Sequence, residues 1–184
     1  MHYLRLTTII VLTFLTFESS AQTQQVEEPT KKEVKKSKKN ANEDTFIWRY
    51  EIEPIAEGRQ GTYQIKVWSY SSVVETAIEQ AKKNAVHGII FRGYQSINGQ
   101  KGQPALTSNP NLEIEFQDFF RDFFADGGKY MKFISVTGNG ALIPTDLIKI
   151  GKEYKVGVVV NVLKENLRKD LEAAGILKAL SSGF

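Results

Sequence analysis

Glu153 to Leu163 (EYKVGVVVNVL) is the most β-prone run of the chain and predicts a strand at the centre of a sheet. Such a strand needs neighbours, and the alternation upstream supplies them. TFIWRYEIEPI, from Thr45, sets Phe46, Trp48, Tyr50 and Ile52 on one side and Ile47, Arg49, Glu51 and Glu53 on the other, the pattern of a strand with one buried face. After the turn EGRQG, TYQIKVWSY repeats it with Tyr63, Ile65, Val67 and Ser69 against Gln64, Lys66 and Trp68. Two strands joined by a short Gly-bounded turn predict a hairpin.

Ser72 with Glu75 three residues later predicts a capping box opening a helix. Its apolar stripe is Val74, Ala77, Ile78, Ala81 and Ala85, with Glu75, Glu79, Lys82 and Lys83 off that face, and Gly88 is read as its end. HGIIFRGY then reads as a third, buried strand. Tyr94 to Pro110 has the composition of a surface loop. Asn109 and Pro110 start a second helix, on which Leu112, Phe116, Phe119, Phe120, Phe123 and Phe124 form an aromatic stripe that Gly127 and Gly128 stop. KYMKFISVTG predicts another strand, Asn139-Gly140 a turn, Leu147 to Ile150 a short strand, and Lys164 to Leu180 a closing helix with Leu167, Leu171, Ala174 and Leu177 on one face. The expected fold is α+β, two or three helices packed on a mostly antiparallel sheet in the order β-β-α-β-α-β-β-α, over residues 45–184.

What precedes that domain is built differently. A short start with one Arg, an apolar stretch from Thr7 to Phe17, and small residues at Ser19 and Ala21 have the pattern of a secretory signal peptide over residues 1–21. The apolar stretch is about ten residues, against about twenty needed to span a bilayer. Residues 22–44 contain no aromatic residue, and Lys31 to Lys39 hold six Lys against one Glu, which reads as a disordered Lys-rich linker. The expected location is therefore periplasmic or extracellular, with outer-membrane association an option. The chain has no Cys, so it has neither a lipidation site nor a disulfide, and packing must hold the fold. A net charge of +3 on 184 residues sets up no strong field for nucleic acid or a membrane.

The residue inventory limits chemistry. Beyond the leader there is one His, His87, read as capping the helix carbonyls before Gly88. One His and no Cys leave little for zinc, copper or Cys–His catalysis, and no G-x-S-x-G elbow or phosphate loop is present. No cofactor is expected. Two carboxylate pairs, Asp118 with Asp122 and Glu51 with Glu53, have the residue types of a glycosidase dyad, although wet helix and strand faces carry such pairs routinely. Trp48, Trp68, Tyr70 and Tyr94 are aromatic residues able to stack on sugars, and Trp68 is out of phase with Tyr63, Ile65 and Val67. For Trp68 the preferred reading is a core residue beneath a helix, with helices on both faces of the sheet. The candidate binding residues are Trp68, Tyr70, Tyr94 and Lys101.

The helix SSVVETAIEQAKKNAVHG between strands and the closing VGVVVNVLKENLRKDLEAAGI resemble small bacterial envelope domains, among them the N-terminal domain of the flagellar assembly protein T and related lipoproteins. KIGKEYKVGVVV and LRKDLEAAGI are similar to segments of secreted bacterial envelope proteins. The missing Cys departs from the lipoprotein members. The resemblance implies an envelope location and a non-enzymatic role. The expected function is an exported protein docking on an envelope protein, a polysaccharide or peptidoglycan. The rivals are a carboxylate-dependent glycan hydrolase and a binder of small apolar ligands between the sheet and Phe116, Phe120 and Phe124.

Overall fold

The computed structural model describes residues 48–57, 61–137 and 144–179. The signal peptide, the Lys-rich linker, the Asn139-Gly140 turn and the final residues lie outside them.

Strand β5 (Glu153–Leu163) is central, as its composition requires. Along one side it pairs with β2 (Thr62–Ser71), which pairs in turn with β1 (Tyr50–Glu57). Along its other side two short strands share it end to end: β3 (Ile134–Val136) takes Val160 to Val162, and β4 (Leu147–Ile150) takes Glu153 to Val156. All pairings are antiparallel. β1 bulges between Pro54 and Ala56, and Pro54 is tolerated because an edge strand can do without its N–H. The register puts Tyr50 opposite Ser69, Ile52 opposite Val67, and the buried Val156, Val158 and Val160 on the same face.

Helix α1 (Val74–Phe91) lies across that face, and the zero exposure of Ala77, Ala81 and Ala85 records how close it sits. Its ends differ from those predicted. No Ser72 cap forms: Val73 is the first cap residue, and the Val73 N–H donates to Ser71 Oγ instead. Gly88 does not end the helix. A Cβ there would meet Ile52 Cδ1 at 2.2 Å, so this glycine is a notch that admits β1. The expected strand at 87–94 is thus helical up to Phe91, because Ile89 and Ile90 are buried on a helical turn whose all-apolar run resembles a strand. Gly93, at φ 65°, is the true terminator, its N–H donating to the Gly88 carbonyl at 2.7 Å.

The segment from Tyr94 makes a small hairpin, Tyr94 bridging to Gln103 and Ile97 to Gln100 around Asn98-Gly99, both at positive φ. The aromatic helix is broken at Phe116 into α2 (Leu112–Glu115) and α3 (Gln117–Phe123). Phe120, Phe123 and Phe124 are buried and pack on Phe91, Tyr130 and Phe133. Lys129–Phe133 is a 3-10 turn ahead of the short β3, and Pro144–Asp146 another ahead of β4. Helix α4 (Lys164–Ala173) buries Leu167 and Leu171 and stops before Gly175, so Ala174 is exposed and outside the helix. Lys83, expected on the wet side of α1, is fully buried and paired with Asp126 at 3.0 Å. Among the described residues no helix is long and apolar enough to cross a membrane.

Candidate functional site

Period two sends every second side chain of the sheet away from α1, and these residues form the candidate site. From β1 come Glu51 and Glu53, with Arg49 just ahead of the strand, from β2 Lys66, Trp68 and Tyr70, and from β5 Glu153, Lys155, Gly157 and Val159. Helix α1 therefore covers one face, and Trp68 is on the other, which corrects the expectation that a helix lies over it. The register nevertheless explains its 9% exposure. Trp68 stands opposite Gly157, whose missing side chain leaves room for the indole to lie on the backbone of β5. The indole Nε1 donates to Glu53 Oε1 at 2.9 Å, and the ammonium groups of Lys155 and Lys66 approach the ring to 5.1 and 5.4 Å.

Tyr70 continues the pattern. The Arg49 guanidinium sits 4.2 Å over its ring and donates to Glu153 at 2.8 Å. The Tyr70 hydroxyl donates to Glu51, which also accepts from Lys155 Nζ at 2.7 Å. The Lys155 and Tyr70 hydrogen bonds hold the Glu51 carboxyl below its ordinary range. Desolvation, with the bond to Glu51, pushes the Tyr70 hydroxyl up. For Lys155, desolvation opposes the charge, but the bonds to Glu51 and Tyr70 outweigh it and raise the ammonium. Cations, carboxylates and rings thus alternate across three strands. At the margin, Ile148 and Ile150 of β4 are 44% and 46% exposed on the same face.

Of the four predicted binding residues, the fold unites Trp68 and Tyr70 only. Tyr94 is buried at the base of the small hairpin, where burial raises its hydroxyl. Lys101 is exposed on that hairpin, whose Gln103 contacts Glu57 and Lys164 at the far end of β1 and β5. Asp118 and Asp122 are 86% and 82% exposed and flank Arg121, a solvated helix face. Glu51 and Glu53 share a face as expected, but Lys155 with Tyr70 engages one and Trp68 the other.

No protein-family model, curated protein or solved structure matches this chain.

A second cluster was not legible in the sequence. His87 does not cap helix carbonyls; its Nδ1 is 2.6 Å from the Tyr50 hydroxyl and its Nε2 is 3.3 Å from Glu113. Trp48 stacks on the imidazole at 3.8 Å and donates to Glu113 at 2.7 Å, and Arg92 covers the Tyr50 ring. Glu113 can only accept when ionised, so Nε2 carries the proton and Nδ1 accepts from Tyr50. Desolvation lowers the His87 pKa against the pull of Glu113, and it raises the Tyr50 hydroxyl far above its ordinary value. An activated nucleophile needs the opposite shift. The trio of hydroxyl, imidazole and carboxylate therefore acts as a clamp joining β1, α1 and α2. Among the described residues no group of three or more His, Asp or Glu is placed to hold a metal ion.

Proposed function

We propose that this is an exported, non-enzymatic cell-envelope protein that docks, through the sheet face not covered by α1, on another envelope protein or an envelope polymer. The observation that carries this reading is the composition of that face: rings and charges alternate beside two exposed isoleucines. Interfaces favour this mixture of aromatic, Arg and apolar groups. The leader-like start, the Lys-rich segment and the resemblance to small envelope domains support the location. Tyr70 and Ile148 are the contacts expected to matter most, whereas Trp68 supports the face from below.

The test is co-sedimentation of the purified protein with isolated peptidoglycan and with envelope membranes, paired with crosslinking in intact cells. Binding that falls at least tenfold in Tyr70→Ala combined with Ile148→Glu is the expected result, a loss of about 1.4 kcal/mol or more. Unchanged binding in the double variant, or no association with either fraction and no crosslinked product, overturns the proposal. The hydrolase rival gains nothing from the geometry of Asp118, Asp122, Glu51 and Glu53. Phe120 and Phe124 are packed on one another and on neighbouring rings, which does not favour the apolar-ligand rival.

A further inference from the structure

On the same face, Lys66 Nζ lies 2.7 Å from Asp146 Oδ1, with only 19% and 7% of the two side chains exposed. The carboxylates of the other described lysine pairs are more open: Glu79 is 40%, Asp126 32% and Glu51 53% exposed. Glu53 stands directly opposite Lys66 in the β1–β2 register and holds one oxygen on Trp68 Nε1. The Trp68 ring covers the lysine from one side, and Val159 is its neighbour on β5. A lysine and an aspartate are thus paired beside an indole and largely withdrawn from water, with a second carboxylate opposite the lysine on β1.

We infer that Lys66 and Asp146 are the partners of an intramolecular isopeptide bond, formed by their own condensation with Glu53 as the proton carrier. Passing the ammonium proton to Asp146 along the existing hydrogen bond leaves an amine and a carboxylic acid, the two forms that condensation requires. Oδ1 is bonded to Cγ, so the nitrogen already stands next to the carbon it attacks. The lone pair of Nζ forms the N–C bond, and the C=O electron pair moves to oxygen. Glu53 accepts a proton from nitrogen and returns it to the departing hydroxyl. The C–O bond breaks, one water leaves, and Glu53 ends as it began. No oxidant, reductant or cofactor is consumed.

The bond would tie β2 to the start of β4 across β5. It would restrain the unfolded chain as a disulfide does, in a protein that has no Cys.

The experiment is intact-mass measurement of the purified full-length protein after denaturation, followed by digestion and sequencing of the peptides. The expected mass is one water below that calculated for the same termini, with Lys66 and Asp146 recovered in one branched peptide and cleavage absent at Lys66. Asp146→Asn should give the same final mass by releasing ammonia instead. Glu53→Gln should slow the appearance of the product at least tenfold in freshly refolded protein, and Lys66→Arg should abolish it. The calculated mass, unchanged after prolonged incubation of folded wild-type protein, overturns the inference. So does a water loss confined to a single linear peptide, as cyclisation of an aspartate would give. The wild-type measurement requires no variant to fold.

Discussion

Gly157→Ala tests the arrangement that supports the candidate site. A Cβ at this position would lie 2.9 Å from Trp68 Cζ3 and 3.0 Å from Cε3 and Cη2, whereas ordinary contact begins near 3.4 Å. The obstacle is a rigid ring held by Glu53, not the end of a flexible chain, and Gly157 lies directly opposite it in the β2–β5 register. Alanine recovers about 0.5–1 kcal/mol of backbone entropy, while overpacking of this kind costs about 1–3 kcal/mol. Lifting the indole also strains its bond to Glu53, worth about 1 kcal/mol. The net expectation is a loss of about 1–3 kcal/mol, or a urea midpoint lower by about 0.5–1.5 M for a slope near 2 kcal/mol per M. The protein has two tryptophans, so the comparison is made in a Trp48→Phe background, where Trp68 alone reports by fluorescence. The expected emission moves toward that of exposed indole. An unchanged midpoint with unchanged emission would show that Trp68 does not lie on Gly157.

Two further outcomes follow from the other face. Because His87 is lowered in the folded state, the unfolded chain takes up a proton that folded His87 resists. Stability is then full above the ordinary value of 6.5 and falls as pH drops below it, and this acid slope should flatten in His87→Gln when denaturant unfolding is compared at about pH 7 and about pH 5.5. The groups facing the ring are Tyr50, Glu113 and Arg92, with Trp48, Phe91 and Phe124 packed against it; an identical slope in the variant would exclude His87 as its source. Gly93→Ala should cost about 2–3 kcal/mol, since φ is 65° and the new Cβ would meet the Gln103 carbonyl oxygen at 2.3 Å, a backbone clash no rotamer relieves; a melting temperature within a degree or two of wild type would refute it.

Much of the scaffold follows from periodicity. The valine run of β5, the β1–β2 alternation and the alanine stripe of α1 each have one period and one burial pattern, so the sequence and the packing agree. Departures occur where that link is broken. The last turn of α1 is buried all round, so Ile89 and Ile90 carry no helical signature, and Gly88 serves a contact with Ile52 that is remote in the chain. Charge usually marks the wet side of a helix, but Lys83 is fully buried and reaches Asp126 at the surface. The aromatic repeat predicted one helix, yet φ −116° and ψ 37° at Phe116 break it. For the site, alternation identified Trp68 as out of phase with the core, but not Gly157 as the reason it can be buried there. Lys66 and Asp146 are 80 positions apart, and no local pattern joins them.

The position of β5 in the chain has a consequence for the order of assembly. Every other strand except β1 pairs with it directly, yet it begins at residue 153 of 184. During synthesis the β1–β2 hairpin and α1 emerge without the strand that joins them to β3 and β4, and an isolated hairpin is only marginally stable. Commitment to the native topology therefore waits for β5, and long-range antiparallel closure of this kind is slow. A chain that stays open until its last strand appears is well suited to being threaded unfolded through a translocation channel, the route the proposed export requires.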